Sequence, residues 1–156
     1  MTAKEYLSQM LWLDREINNG IEQLEELRVK AEGLSQTAPT GMPHGSGGGD
    51  KLAQRVVRIV ELQEYVNDQT DRLIDLRMEI TQQIDRMKNQ KNRVVLQCRY
   101  LRCMKWADIE RELHYEHSSM MKRHKTALKE FERLNPTIRN QKRDKRKNQN
   151  GYTFPH

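Results

Sequence analysis

Cys98, Cys103, His114 and His117 are the residues best suited to hold a metal, and they read C-x4-C-x10-H-x2-H. A zinc finger separates its ligand pairs by about twelve residues and its histidines by roughly three to five. Both gaps are shorter here, and the two cysteines flank an Arg-Tyr-Leu that belongs to a helix and its end. No metal site is expected. The run GSGGGDK, residues 45–51, lines up glycines, but it lacks the strand and the Gly-Lys-Ser/Thr of a phosphate-cradling loop. His124 falls on the apolar face of its segment, the place of a hydrogen-bonded core histidine rather than of a ligand or a base. No Ser/His/Asp or Cys/His set is drawn together by spacing, so neither an enzyme nor a cofactor is expected.

Charge points to a different chemistry. Residues 1–50 hold 4 Lys and Arg against 8 Asp and Glu, residues 51–90 hold 7 against 7, and residues 91–156 hold 17 against 7. The net charge of +6 therefore comes from the last third of the chain. Basic charge set apart in this way suits a polyanionic partner, most often nucleic acid. Part of it, Lys142, Arg143, Lys145, Arg146 and Lys147, stands in a tail, residues 136–156, that has no apolar stripe and is expected to be disordered.

The elements that must position this charge are helical. Only 35% of the residues are hydrophobic and 32% are charged, too little apolar material for a large globular core but enough for long helices that bury a stripe. No apolar run approaches the ~18 residues of a membrane span, and the N-terminus lacks the basic and apolar regions of a secretory signal. Two cysteines fit a reducing cytoplasm better than a disulfide scaffold.

A first helix is expected over about residues 2–32. Met10, Leu13, Ile17, Leu24, Leu27 and Ala31 form its seam, with Ile21 beside it and Gly20 in one seam position. Thr2 and Glu5 can form a capping box, and Gly33 is placed to end the helix. Tyr6 and Trp12 read as packing residues. Residues 33–50, rich in Gly and Pro, are expected to be a flexible linker or exposed loop that reverses the chain between two long helices. A second helix is expected over 51–89 behind Asp50 as N-cap. Leu52, Ile59, Val66, Leu73, Ile80 and Met87 stand seven apart, and Val56, Leu62, Leu76 and Ile84 fill alternate seam positions. Residues 1–89 thus predict a long antiparallel helical hairpin, coiled-coil-like. At ~1.5 Å per residue its second helix is the longer one, and the overhang calls for a second copy, a homodimer through residues 51–89.

Three shorter helices follow, over 91–101, 105–113 and 117–134, with Asn135-Pro136 as the stop. The stretch KWADIERELHYEHSSMMKRHKTALKEF, residues 105–131, is spaced like a helix-turn-helix. Ile109 and Leu113 can pack on Met120 and Ala127, and Tyr115 can fill the turn. His117, Ser118, Met121, Lys122 and Lys125 then fall on or near the outer face.

The stretch from Leu96 to Phe131 resembles the region-4-like helix-turn-helix of sigma factors. The resemblance rests on Arg99-Tyr100-Leu101, Trp106, Ile109, Leu113, Met120, His124 and Ala127-Leu128. With TAKEYLSQMLWLDREIN and GGGDKLA it extends over about residues 2–134, and it is nearest to small phage proteins of Gram-positive hosts. These are ArpU-type late transcriptional regulators and a related phage family of unknown function. The chain departs from the pattern at Glu110, where a small Ala is common, and at His114, where Gly often stands. Glu116 replaces the usual Ser cap, and Arg123 replaces a hydrophobe.

The resemblance implies an all-α protein, the hairpin followed by a three-helix sigma-region-4-like DNA-binding domain over residues 90–135. It implies sequence-specific binding of double-stranded DNA in late gene expression, in the cytoplasm of a bacterial host, with host RNA polymerase as a further partner. His117, Ser118, Met121 and Lys122 would read bases. Lys105, Arg123, Lys125 and Lys129 would contact phosphates, together with the basic residues of the tail. Two other readings fit the same pattern of elements: a small terminase-like DNA-packaging protein, and a coiled-coil adaptor that binds no DNA.

Overall fold

A computed structural model describes residues 1–35 and 47–138, and among them every regular element is a helix. The elements are α1, Ala3–Ser35; α2, Gly47–Asp85; α3, Gln90–Leu96, continued by one π-type turn, Gln97–Leu101; α4, Trp106–Leu113; and α5, His117–Leu134. The basic tail residues Lys142, Arg143, Lys145, Arg146 and Lys147, and most of the Gly/Pro loop, lie outside the described residues.

The helix ends follow local chemistry, with two corrections. Thr2 and Glu5 cap α1 reciprocally: the Glu5 amide donates to Thr2 Oγ1 at 3.2 Å and the Thr2 amide to Glu5 Oε2 at 2.8 Å. Gly33 does not end the helix, which runs on to Ser35. Nor is Asp50 an N-cap, because α2 starts at Gly47 and holds Asp50 in its first turn. A long helix already nucleated propagates at small cost even through glycine, and a carboxylate there still meets the positive end of the helix dipole. At its other end α2 stops at Asp85, short of the expected 89. The amides of Lys88 and Asn89 donate instead to Glu130 Oε1, at 3.0 and 3.3 Å. Asn89 then caps α3 through its side chain, which accepts from the Asn92 amide at 3.2 Å.

The chain divides into two compact units, residues 13–74 and residues 1–12 with those from 75 onward. In the first, Ile17, Leu24 and Val66 are buried, with Ile59, Leu62 and Leu73 packed against them. Its polar contacts run in opposite order along the two segments: Glu16 accepts from Tyr65, Arg28 donates to Gln63, and Arg55 donates to the Lys30 carbonyl. Gly20 lies against Val66, where a Cβ would meet Val66 Cγ2 at 2.5 Å, so the glycine serves close approach. Val56 is not a seam residue; it is exposed, as are Ile21, Val29, Val57, Val60 and Ile74.

The second unit holds the larger core. Leu7, Ile80, Ile84, Leu96, Ile109, Met120 and Phe131 are fully buried, drawn from every helix. Tyr6 packs there as expected, its ring stacked on Phe131 at 6.3 Å and its hydroxyl donating to Glu79 Oε1 at 2.6 Å. Burial first, then the Glu79 carboxylate, hold its phenol above the ordinary range. Trp12, by contrast, stays 62% exposed rather than buried in that core.

Candidate nucleic-acid interface

The segment Gln97–Leu101 sets the platform. Residues two apart in a helix point to nearly opposite sides, at about 100° per residue. Cys98 and Tyr100 are nevertheless both buried, so the segment is covered on more than one side. The Arg102 amide reaches back to the Gln97 carbonyl at 2.9 Å and the Met104 amide to the Cys98 carbonyl at 3.0 Å. Cys103 takes a left-handed backbone at φ 53°, which turns the chain into α4. Cys98 is buried in the cluster of Val95, Ile109 and Met120, a packing role.

The residues that carry the family resemblance are mostly scaffold. Tyr100 and His124 share a 2.9 Å hydrogen bond between the π-type turn and α5. Trp106 meets the His124 ring edge-on at 4.7 Å. Arg99 lies over Trp106, 4.9 Å from its ring centroid, and donates to the Met104 carbonyl at 2.7 Å. Burial pushes the Tyr100 phenol up to about 12. Burial, with Lys4 and Arg99 adding positive charge, pushes His124 down to about 4. His124 is therefore a neutral core residue at pH 7, as its place on the apolar face implied.

Each departure from the pattern has a structural counterpart. His114 takes the left-handed position at φ 56° that closes α4, and the Tyr115 amide donates to the Glu110 carbonyl at 3.0 Å. Histidine tolerates this conformation better than most side chains, though less well than glycine. Glu116 is the N-cap of α5, but its side chain makes no cap hydrogen bond. The first amides of α5 thus keep their donors directed outward, where a helix N-terminus favours anions. Glu110 is bonded to His117 Nδ1. Arg123 is half-buried and donates to Asn92 Oδ1 at 3.4 Å. Asn92 in turn donates to Glu130 at 2.6 Å.

On α5, Met120, His124, Ala127 and Phe131 face inward and are buried. Of the expected base-reading residues, His117, Ser118 and Lys122 are exposed, whereas Met121 is half-buried against the Val95–Met120 cluster. Of the expected phosphate contacts, Lys125 and Lys129 are exposed on α5, and Lys105 is exposed at the N-cap of α4. Arg123 is turned into the Asn92–Glu130 network. Among the described residues, Lys122, Lys125 and Lys129 have no ion-pair partner, while α4 pairs its charges as Arg111–Asp108 and Arg102–Glu112. Arg133 is also exposed and extends the lysine stripe. Its spacing, four after Lys129, was the sequence signal that sets it on that face. Glu130, which ties the 88–92 turn to α5, carried no such signal.

No site for a metal is formed: among the described residues no group of three or more His, Cys, Asp or Glu could hold one. No described helix is long and apolar enough to cross a membrane. Compared with known families, the chain matches over residues 43–132 the family described as "Protein of unknown function (DUF1492)". No curated protein and no solved structure matches it.

Proposed function

The chain belongs to the DUF1492 family of unknown function, and from its own geometry we propose that it is a sequence-specific DNA-binding regulator. In this reading α4 and α5 are a sigma-region-4-like helix-turn-helix and α5 enters a major groove. One observation carries it: Lys122, Lys125, Lys129 and Arg133 form an exposed stripe on the helix whose opposite face is locked into the core. An interior face without freedom holds the outer face in one orientation, which base reading needs. The uncapped N-terminus of α5 supplies phosphate donors beside it.

The regulatory role in phage late gene expression, and polymerase as a partner, come from the sigma-like resemblance. The basic tail adds salt-dependent affinity. Residues 13–74 and the rest of α2 serve as a helical hairpin for dimerisation. The exposed Val57, Val60 and Ile74 support that role, since apolar side chains of this kind gain from a second copy.

Lys122→Ala with Lys125→Ala weakens DNA binding at moderate salt and flattens the dependence of log affinity on log salt by about two. Unchanged affinity rejects the assignment of α5. A mass in solution of eight to ten copies, rather than two, favours the small-terminase reading. No binding to mixed DNA at low salt favours the adaptor.

A further inference from the structure

Glu110 and His117 make a contact that the lysine stripe does not explain. Glu110 sits on α4 with its side chain only 20% exposed, while the His117 ring, at the first position of α5, is 71% exposed. The carboxylate bonds ring atom Nδ1. A carboxylate only accepts hydrogen bonds, so Nδ1 carries the proton that it receives. In a neutral imidazole the other nitrogen then holds a lone pair. Among the described residues nothing bonds His117 Nε2. The half-buried carboxylate thus fixes a tautomer and leaves one acceptor atom pointing away from its anchor, at the start of the proposed recognition helix.

We propose that the Glu110–His117 pair is a base-selecting device, in which Glu110 positions His117 so that Nε2 accepts from an exocyclic amino group in the major groove. The bases that fit are adenine, through N6, and cytosine, through N4. Guanine and thymine present acceptors at the corresponding edge and are refused, because two lone pairs would face each other. Glu110 is the positioning residue and never touches the DNA. The proposal rests on the DNA-binding reading above and adds to it the class of base that one position selects. It also accounts for a carboxylate where the family resemblance leads one to expect alanine: a methyl group could not hold the ring.

Two measurements on the full chain test it. The first needs no DNA. At pH 9, where imidazoles are neutral, the ring nitrogen shifts of His117 in a ¹⁵N NMR spectrum report the Nδ1–H form, and Glu110→Ala moves them toward the Nε2–H form. A wild-type ring in the Nε2–H form overturns the proposal. The second is selection of bound sequences from a random DNA pool at the same pH. The wild type enriches one base pair in one orientation, over the reversed pair, at a position that His117→Ala leaves indifferent, with a preference of about five- to tenfold. Glu110→Gln, whose amide both donates and accepts, loses that preference while still binding DNA.

If no position depends on His117, if both orientations of the selected base pair are enriched equally, or if Glu110→Gln keeps the wild-type preference, the pair does not select a base. The DNA-binding reading would then stand without it. If the wild type enriches no sequence and binds no DNA, that reading fails and takes the base-selecting role with it. The NMR result then still says whether the tautomer is fixed.

Discussion

Residues 13–74 keep Ile17, Leu24 and Val66 from water and leave Ile21, Val29, Val57 and Val60 in it, whereas the unit of residues 1–12 and 75–138 encloses side chains from all five helices. Two helices offer each other one stripe apiece, and any apolar residue off that stripe stays wet. Several helices packed at different angles cover a side chain from more than one direction, which is why Cys98 and Tyr100 are buried only two residues apart. The polar groups differ in the same sense. The unit with the larger core buries a Tyr100–His124 bond and partly buries the Asn92–Glu130 bond, while the Arg28–Gln63 and Tyr65–Glu16 bonds of residues 13–74 are exposed. One unit closes around its core from several sides, and the other leaves apolar side chains in water.

The largest effect that would sharpen this contrast is loss of a core aromatic. Phe131→Ala destabilises by about 3–5 kcal/mol, whereas Leu24→Ala costs about 2 kcal/mol, the low end for a leucine that can relax toward solvent. Chemical denaturation of the two variants measures both, and equal losses would erase the distinction between the units.

Acid provides the next test. His124 titrates near 4 when folded, below the ordinary 6.5 of the unfolded chain. The unfolded chain therefore binds the proton first, and stability is fully present above pH 6.5 and is lost as pH falls toward 4. The slope reaches about 1.4 kcal/mol per pH unit and the total about 3 kcal/mol. His124→Gln keeps a partner for Tyr100 and flattens that slope in denaturation curves at pH 4 to 7. A slope unaltered by the substitution would place the acid sensitivity elsewhere.

The smallest effect lies in residues 13–74. Gly20→Ala gains about 1 kcal/mol of helix propensity but drives a methyl group into Val66, whose branched side chain has little room to turn. Overpacking of this kind costs about 1–3 kcal/mol, so the net change is a loss of about 1 kcal/mol. Adding Val66→Ala removes the clash, and thermal melts of the double variant recover part of the loss. A Gly20→Ala protein more stable than wild type would mean that the two segments part easily.

Much of the helical layout was legible. The expected helix over 117–134 matches His117–Leu134, because strong periodicity and the Asn135-Pro136 stop mark both ends locally. The place of His124 and the packing of Met120 and Ala127 followed from the same periodicity. The expected outer face of α5 was legible for His117, Ser118, Lys122, Lys125 and Lys129. It failed for Met121 and Arg123, which lie at the edge of the stripe, where neighbours decide exposure. Val56 departs from expectation for the converse reason: a stripe residue that its own chain does not cover stays exposed.

The sequence by itself determined that the chain is helical, which face of each helix is apolar, and that the basic charge gathers in the last third, since all of these follow from residue type and local spacing. Only the tertiary structure decided which apolar residues find cover, that the first turn of α1 reaches Glu132 through the Ala3 amide at 3.0 Å, and that Glu110 meets His117. Those outcomes depend on what packs opposite a residue, which the turns and the packing between helices set and the periodicity within one helix does not carry.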